Sequence, residues 1–378
     1  MNNNLQTQNL MKYIDIVNSG VTEFKGEKKY IATGSLETDN IIDNVNVAYN
    51  SRPSRANMEF KVNDVIFAKM KDTEKVFLID KDTSENLYST GFAGLRIKNS
   101  ANLIPKFLYF YIRSSNFQKE KDRKSGGATQ KAINNTKIKE FTLPVPHLET
   151  QKQIVAILEK AEKLKTHRQI ADDLTNSYLK SIFFEMFGDP VKNSKNWDLK
   201  LLSKIANVNM GQSPPGYSYN EICEGVPFFQ GKAEFQEKYP IVKKYTTKPK
   251  RFAEIGDILM SVRAPVGSVN VSNIDCSIGR GLCAIKCVNI NLEYLYYHFK
   301  LIEGSLENMG TGSTFKSINK AQLENLKIPY PPIELQDKFA KIVERLEKVK
   351  DYQRQSKIEI NNLFNNLMQK SFRGELFL

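Results

Sequence analysis

Basic side chains alternate with hydroxyl and aromatic side chains in two stretches of the sequence. Residues 243–251 read Lys-Lys-Tyr-Thr-Thr-Lys-Pro-Lys-Arg, and residues 49–55 read Tyr-Asn-Ser-Arg-Pro-Ser-Arg. Lysine, arginine, serine and threonine contact phosphate oxygens, and arginine, lysine, asparagine and glutamine also read base edges. These stretches therefore predict contacts with a nucleic acid. A solvated surface loop of the same composition is the alternative.

Two turns of small residues have a similar layout. Gly127-Ala128-Thr129 is followed by Lys131, and Gly312-Ser313-Thr314 is followed by Lys316. Backbone N–H groups in such turns can hold a phosphate. From residue type and loop position we predict that nucleic acid is contacted by Arg52, Arg55, Lys69, Lys71, Thr129 and Lys131 in the first half of the chain, and by Gln212, Gln230, Lys232, Tyr245, Thr246, Lys248, Arg263, Arg280, Thr314 and Lys316 in the second half.

Sequence signatures of catalysis are absent or incomplete. The three histidines, His147, His167 and His298, lie in different segments without a carboxylate or cysteine at a useful spacing, so structural roles are predicted. No phosphate-binding G-x-x-x-x-G-K-[ST] motif is present. Residues 213–217, Ser-Pro-Pro-Gly-Tyr, are similar to the catalytic tetrapeptide of amino-methyltransferases, but Gly216 breaks its spacing. A binding protein without a catalytic residue is predicted.

The four cysteines also favour a structural role. Cys276, Cys283 and Cys287 cluster, but neither they nor Cys223 form a C-x2-C pair. We predict buried cysteines on strands and no metal site, with a zinc site as the alternative.

The chain contains an internal repeat. Residues 143–151, Leu-Pro-Val-Pro-His-Leu-Glu-Thr-Gln, match residues 328–336, Ile-Pro-Tyr-Pro-Pro-Ile-Glu-Leu-Gln, 185 positions later. Residues 127–134 match residues 312–319 at the same offset, and farther upstream the offset drifts, as loop insertions would make it. The order is therefore domain, helix, domain, helix.

A heptad pattern follows each Pro-x-Pro run and continues for about five heptads. Its first set of positions is Ile154, Ala161, Arg168, Thr175 and Ile182 in one helix and Phe339, Leu346, Gln353, Ile360 and Leu367 in the other. Its second set is Ile157, Leu164, Ala171 and Tyr178, and then Ile342, Val349, Ser356 and Leu363. The helices are expected to end at Gly188 and Gly374. Such a pattern predicts a coiled coil between the two helices, unless each helix packs on its own domain. The domain between the helices permits either orientation, and an antiparallel pair fits a chain with an internal two-fold repeat.

The segments between the helices have the composition of globular domains. Residues 67–70 and 259–262 read as strands, and residues 107–112 and 294–299 as helices, which predicts α/β domains with a curved sheet. Residues 1–148 hold 22 Lys and Arg against 16 Asp and Glu, and residues 188–332 hold 18 against 13. Basic domains attract polyanions. With no 18-residue apolar run and no visible export signal, the cytoplasm is expected.

Three sets of residues in the second half of the chain form distinctive motifs. They are Gly211-Gln212-Ser213-Pro214-Pro215 with residues 227–232, Pro-Phe-Phe-Gln-Gly-Lys; residues 256–267; and Ile278-Gly279-Arg280-Gly281-Leu282. On these motifs, and over nearly its whole length, the sequence resembles the specificity subunits of type I restriction-modification systems. Residues 52–57, Arg-Pro-Ser-Arg-Ala-Asn, and residues 89–92, Ser-Thr-Gly-Phe, look like another branch of the same family.

The resemblance implies a target-recognition domain at 1–148, a conserved helix at 149–187, a second target-recognition domain at 188–332, and a second helix with the tail at 333–378. Each domain would read half of a bipartite, asymmetric sequence in double-stranded DNA, with the antiparallel helices as a spacer. Two modification subunits with S-adenosylmethionine would methylate adenines, and restriction subunits would bring ATP, Mg²⁺, translocation and cleavage. A fused enzyme, an RNA-binding scaffold and a subunit recruited to a defence system without cleavage are the alternatives.

Overall fold

A computed structural model describes residues 7–37, 40–127, 131–310 and 316–376 of the 378-residue chain. The chain divides into two compact units. Unit 1 comprises Met1–Gln169 and Gln355–Leu378, and unit 2 comprises Ile170–Arg354. Both boundaries fall inside long helices, so each long helix contributes one segment to each unit.

Unit 1 combines short strands with helices. Its strands are β1 Thr7–Asn9, β2 Ile14–Ile16, β3 Glu27–Ile31, β4 Leu36–Glu37, β5 Asn40–Ile41, β6 Val45–Ala48, β7 Ala56–Met58, β8 Val65–Ala68, β9 Val76–Leu78, β10 Leu87–Ser89, β11 Phe92–Ile97 and β12 Thr142–Pro144. Its helices are α1 Pro105–Arg113, α2 Ser115–Lys124, α3 Asn135–Ile138 and the first part of α4 Leu148–Phe187.

Unit 2 repeats this succession. Its strands are β13 Leu199–Leu201, β14 Ala206–Met210, β15 Tyr219–Asn220, β16 Val226–Phe229, β17 Lys244–Thr246, β18 Phe252–Ala253, β19 Ile258–Ser261, β20 Val269–Val271, β21 Cys276–Ile278, β22 Leu282–Cys287 and β23 Lys327–Pro329. Its helices are α5 Leu202–Ile205, α6 Leu292–Leu301, α7 Glu303–Met309, α8 Lys320–Glu324 and the first part of α9 Ile333–Arg373.

The sheets show that the two units share one topology. Unit 1 has an antiparallel sheet of order β2-β11-β8-β9, and unit 2 has one of order β14-β22-β19-β20. A second sheet, β6-β3-β10-β7, corresponds to β15-β17-β16-β21-β18, and each contains one parallel pair, β3 with β10 and β16 with β21. The two-stranded sheets β1-β12 and β13-β23 complete the correspondence. The predicted α/β class and internal repeat are confirmed.

The two long helices pack together in both units. In unit 1, Ile154, Leu158 and Ala161 of α4 share a buried core with Phe364 and Phe372 of α9. In unit 2, Leu179, Ile182 and Phe183 of α4 share one with Phe339 and Val343 of α9. The early part of each helix thus meets the late part of the other, which is the antiparallel pairing that the internal repeat favours. The helices end at Phe187 and Arg373, directly before Gly188 and Gly374.

Part of the second set of predicted seam positions was wrong. Leu164, Val349 and Leu363 are 47%, 44% and 46% exposed, and Ile157 and Ile342 are only half-buried. The buried positions lie four residues, not three, after the first set, and include Leu158, Leu179, Val343, Lys350 and Phe364. Polar residues such as Lys165 and Lys350 occupy some of the positions four residues after the first set. The apolar pattern therefore favoured the positions three residues after the first set.

The middle of the seam is held by polar contacts. In unit 2, Gln353 Nε2 donates to Thr175 Oγ1 at 2.9 Å. In unit 1, Lys357 Nζ donates to Gln169 Oε1 at 2.9 Å. Among the described residues, no helix is long and apolar enough to cross a membrane.

A buried glutamine fixes the start of each long helix to its own unit. Gln151 and Gln336 are both fully buried. Gln151 Oε1 accepts from the Ile104 N–H at 3.0 Å, and Gln336 Oε1 accepts from the Asn291 N–H at 2.9 Å. Their amide nitrogens donate to Pro146 and Pro331 carbonyls at 3.0 and 2.8 Å. Each side-chain amide therefore supplies a hydrogen-bond acceptor to the backbone N–H directly before α1 or α6.

Replacing Gln336 by alanine is expected to destabilise unit 2 by about 2–4 kcal/mol, because a buried N–H loses its acceptor and a cavity remains. Hydrogen exchange of unit 2 peptides measures the loss. Lys338→Ala, at an exposed position of the same helix within unit 2, is the control and should change stability little. Equal effects of the two variants would contradict the role assigned to Gln336.

Candidate nucleic-acid interface

Backbone hydrogen bonds gather four loops of unit 1, which we call loop cluster 1 (residues 52–55, 69–71, 90–91 and 131–133). Lys69 N–H donates to the Gly91 carbonyl at 2.9 Å, and Ile133 N–H donates to the Lys69 carbonyl at 2.9 Å. Lys71 N–H bonds the Lys131 carbonyl at 2.9 Å. The Thr90 N–H bonds the Arg55 carbonyl at 2.9 Å, which adds the fourth loop. Arg55, Lys69, Lys71 and Lys131 are thereby brought together.

The predicted residues of this cluster differ in availability. Arg55, Lys71 and Lys131 are exposed. Lys69 is half-buried, and burial lowers the pKa of its ammonium. Arg52 turns back onto its own loop, with its guanidinium 4.0 Å from the Tyr49 ring centroid and donating to the Tyr49 carbonyl. Thr129 lies outside the described residues.

A buried lysine that the sequence reasoning missed supports this cluster. Lys121 is fully buried on α2, and its Nζ donates to the carbonyls of Met70 and Thr73, both at 2.9 Å. It therefore holds the loop that carries Lys71. One sequence signal could have identified it: Lys121 lies three and four residues after Gln118 and Phe117, on the same buried face of α2.

Unit 2 gathers five loops in the same way, and we call them loop cluster 2 (residues 211–213, 230–232, 262–263, 279–281 and 316–318). Val262 N–H donates to the Gly281 carbonyl at 2.9 Å, and Ile318 N–H donates to the Val262 carbonyl at 3.0 Å. The Arg280 N–H bonds Ser213 Oγ at 3.2 Å. The Gly279 N–H bonds the Phe229 carbonyl, directly before residues 230–232, at 2.8 Å. Six predicted residues meet here, namely Gln212, Gln230, Lys232, Arg263, Arg280 and Lys316. Thr314 lies outside the described residues.

The approach of the loops in this cluster depends on glycine. A Cβ added at Gly211 would lie 2.2 Å from the Gly279 carbonyl oxygen, and one added at Gly281 would lie 2.5 Å from the Gln230 carbonyl oxygen. Both neighbours are backbone atoms, which cannot swing aside as a side chain does. No residue with a Cβ fits at either position without moving a loop.

Loop cluster 2 presents uncompensated positive charge. Arg263 and Arg280 are exposed, and neither has an ion pair in the part of the chain that the structure describes. Lys232 is partly neutralised by Glu303, 3.4 Å from its ammonium. The hydroxyl of Ser261 lies 2.9 Å from the Arg263 carbonyl and 2.8 Å from the Pro265 carbonyl, which fixes the loop that carries Arg263. An anionic backbone is the ligand that such a surface favours.

Three further predicted residues lie on β17 or directly after it. Thr246 is fully buried, with Oγ1 2.8 Å from Ser218 Oγ, so its prediction as a nucleic-acid contact was wrong. The prediction rested on the basic and hydroxyl composition of residues 243–251. In the structure, β17 orients the Thr246 side chain towards the protein interior. Tyr245 is half-buried, and a hydrogen bond with Cys223 raises the pKa of its phenol. Lys248 is exposed, 4.9 Å from the Tyr217 ring centroid.

The histidines and cysteines do not assemble a reactive centre in the described ranges. His147 and His167 are exposed on separate segments, and His298 is buried in α6. Burial raises the pKa of Cys276 to about 11 and of Cys283 to about 12. No group of three or more His, Cys, Asp or Glu among the described side chains is placed to hold a metal ion.

His298 makes unit 2 sensitive to acid. Burial lowers its pKa from 6.5 to about 4, so the folded unit holds it neutral while the unfolded chain can protonate it. Stability is then full above pH 6.5 and falls as the pH drops towards 4, by about 2 kcal/mol at pH 4.5. Denaturation of His298→Phe at pH 7 and pH 4.5 should show that much less loss than the unaltered chain. An unchanged pH dependence would contradict this assignment.

Comparisons with known proteins agree with this architecture. The sequence matches the family described as "Type I restriction modification DNA specificity domain" twice, over residues 13–176 and 194–362. The chain therefore belongs to the type I restriction-modification DNA specificity family, and its two units are DNA-recognition domains of that family.

Relatives and solved structures match along nearly the full length. A Methanocaldococcus jannaschii protein that carries the name MjaX specificity subunit of a type I restriction enzyme is 31% identical over 98% of this chain and 93% of its own length. A solved chain described as "Structural basis underlying complex assembly and conformational transition of the type I R-M system" has a TM-score of 0.69 at 27% identity, with 99% of each chain covered. The type I S subunit of M. genitalium, at 18% identity and TM-score 0.58, shares the fold over 98% of this chain and 97% of its own.

Proposed function

We propose that each unit reads one half of a bipartite, asymmetric sequence in double-stranded DNA. The observation that carries the proposal is that the two loop clusters share one backbone framework and differ in side chains. The hydrogen bonds of Lys69 with Gly91 and Ile133 correspond to those of Val262 with Gly281 and Ile318. The residues that follow Lys69 and Val262 are Met70 and Arg263, which form isolated bridges with Ala132 and Ser317.

Equal frameworks with unequal side chains suit two readers of different sequences. The residue before each shared glycine is Thr90 in unit 1 and Arg280 in unit 2, while Lys131 and Lys316 keep the same type. A phosphate contact carries no sequence information, so its side chain can be the same in both halves. Side chains that read bases must differ if the two half-sites differ.

The long helices support a second role as a scaffold for modification subunits. Exposed apolar residues recur at repeat-equivalent positions, Leu164 with Val349 and Tyr178 with Leu363. Two equivalent faces on one chain fit two copies of one partner. In this proposal the chain itself is not catalytic. The modification subunits carry S-adenosylmethionine and methylate adenine, and restriction subunits join with ATP and Mg²⁺.

Adenine-methylation mapping tests the proposal in cells that contain this chain and its modification subunit. The unaltered chain should direct methylation to a split, asymmetric motif. Lys71→Ala with Lys131→Ala should weaken binding through one domain, and Arg263→Ala with Arg280→Ala through the other. In each case methylation should fall, and any change in base preference should stay within one half of the motif.

A matched control uses Lys286→Ala, an exposed lysine of unit 2 outside loop cluster 2. It should leave the motif and the extent of methylation unchanged. Absence of methylation with the unaltered chain would contradict the proposal, and so would altered base preference in both halves from substitutions in a single cluster.

A further inference from the structure

Two lysines occupy equivalent positions of the helix–helix seam at which the heptad pattern favours an apolar residue. Lys350 of α9 is buried, Lys165 of α4 is half-buried, and the two are 185 positions apart in the repeat. A lysine is seldom buried unless an opposite charge is within reach, because removing an ammonium from water is costly. The partners of the two lysines therefore indicate the role of the charge.

In unit 2, the partner of Lys350 comes from the recognition domain, the part of the unit outside the long helices. Lys350 Nζ donates to Glu237 Oε1 at 2.7 Å, and a carboxylate oxygen of Glu347, one turn earlier on α9, lies 3.6 Å from the same ammonium. Arg354 Nε is 3.9 Å from the second oxygen of Glu237. Burial opposes the ionisation of Glu237, but the hydrogen bond and charge of Lys350 and the charge of Arg354 lower its pKa.

Glu237 belongs to residues 231–238, a segment that begins in loop cluster 2 and that we call the tie segment. Lys238 is buried, and its ammonium donates to both carboxylate oxygens of Glu293 on α6, at 2.9 and 3.1 Å. The Tyr296 hydroxyl, also on α6, donates to the Glu237 carbonyl at 3.1 Å. The tie segment therefore connects loop cluster 2 with α6 and α9 of the same unit.

Unit 1 carries a matching group of charges. Glu162 and Lys165 of α4 correspond to the glutamate and lysine of α9 at the offset of 185 residues. The guanidinium of Arg113, at the end of α1, donates to the Glu162 carboxylate. Glu37, on β4, lines the same cleft as these three side chains. Both units therefore place charged side chains of the recognition domain against charged side chains of a long helix.

The ionic character of these contacts favours a role in orientation. An ion pair removed from water contributes little net stability, and apolar side chains of similar size often hold two elements together as firmly. An ion pair fixes one geometry, because its hydrogen bonds weaken when their distances or angles change. The apolar core around Phe339 already attaches the long helices to the rest of unit 2. The charges therefore add direction to an attachment that apolar packing supplies.

We propose that Glu237 and Lys350 are positioning residues, which fix the orientation of the unit 2 recognition domain on its long-helix segment, so that the complex accepts one spacer length between the half-sites. This inference rests on the proposed function. One added base pair moves a half-site by about 3.4 Å and turns it by about 35°. A domain held in one ionic geometry resists that change, whereas a domain held by apolar packing alone can rock towards it. In unit 1, Arg113 and Glu162 act in the same way.

Binding to duplexes with different spacers tests this proposal. Each duplex carries both mapped half-sites, with a spacer of the mapped length, one base pair shorter or one base pair longer. Fluorescence anisotropy with the full-length chain and its modification subunit gives the ratio of the Kd values, which we call the spacer discrimination. Glu237→Gln and Lys350→Met should each reduce the spacer discrimination about 10-fold, on the scale of one charge-assisted hydrogen bond. The base preference within each half-site should not change.

Further variants separate a positioning role from a general loss of stability. Lys350→Arg keeps the cation and should retain the spacer discrimination. Combining Glu237→Gln with Lys350→Met should lower it no further than either substitution alone, because both remove the same ion pair. Glu162→Gln should reduce it as well, since unit 1 repeats the arrangement. Hydrogen exchange of each variant alone reports that its unit is folded.

Glu344→Gln is the matched control on the same helix. Glu344 and Lys348 form an ion pair at 2.9 Å within α9, and both side chains are 68% exposed. The substitution removes a carboxylate that has no contact with the tie segment, so the spacer discrimination should stay as it is in the unaltered chain. A loss equal to that of Glu237→Gln would overturn the inference.

The remaining outcomes separate the inference from the proposed function. Equal losses of affinity on all three duplexes, or no loss of spacer discrimination in either single variant, would overturn the inference and leave the proposed function standing. Equal binding of the unaltered chain to all three spacers would do the same. An unaltered chain that directs no binding to a split target would overturn both.

Discussion

Replacing Gly211 by alanine should reduce the affinity of the complex for its DNA target at least 10-fold, on the order of one lost arginine contact. The new Cβ would lie 2.2 Å from the Gly279 carbonyl oxygen and 2.8 Å from the Leu282 carbonyl oxygen. Neither atom can yield without displacing residues 279–282, and that segment carries Arg280. Overpacking of this kind typically costs about 1–3 kcal/mol. Fluorescence anisotropy with a duplex of the mapped target measures the loss.

Gly216→Ala is the matched control for this prediction. Gly216 lies five residues away on the same loop, and a Cβ there would meet nothing within 4 Å. The control should bind the duplex as the unaltered chain does. If Gly211→Ala bound equally well, loop cluster 2 would not be the surface through which unit 2 contacts DNA.

Replacing Phe339 by alanine should cause a large loss of stability in unit 2, about 3–5 kcal/mol. Phe339 is fully buried. Its ring centroid lies 5.5 Å from Phe183, 5.4 Å from Phe187 and 5.5 Å from Tyr297. The substitution empties the place where α9, α4 and α6 meet. Hydrogen exchange of unit 2 peptides should show faster exchange in all three helices.

Phe184→Ala controls for the loss of a phenyl ring. Phe184 is 36% exposed on the neighbouring segment of α4, so its removal from the chain alone should change stability by less than about 1 kcal/mol. Similar protection in the two variants would contradict the view that the aromatic cluster joins the helices to their unit.

The repeat was predictable from the sequence because matching residues in the two halves make the same contacts with the backbone. Gln151 and Gln336 sit at matching positions, and in the structure both make the same buried contacts with the start of a helix. Helices and strands were predictable from the spacing of apolar residues, because the buried face of each element must be apolar. The seam positions four residues after the first set could not be predicted in this way. Lys165 and Lys350 are polar residues at two of these positions, whereas the neighbouring Leu164 and Val349 are apolar.

The candidate interface was predictable only in part. Arg263 and Arg280 carry charge in loops, and nothing in the described structure neutralises it. The inward orientation of Thr246 depends on a strand pairing between β15 and β17 that composition does not reveal. Lys121 depends on a contact across 51 residues, from α2 to the carbonyl of Met70. Long-range contacts of this kind leave no local pattern in a single sequence.

The spacing between matching residues records how the two halves have diverged. Pro144 and Pro329 are 185 positions apart, as are Ile133 and Ile318, whereas Gly91 and Gly281 are 190 apart and Lys69 and Val262 are 193 apart. Length has therefore changed within the recognition domains and not between the last loop and the helix. A domain of this design can gain or lose loop residues without shifting the heptad phase of the helices. Under the proposed function, a change of loop length in one unit would alter one half of the target and leave the pairing of the long helices unchanged.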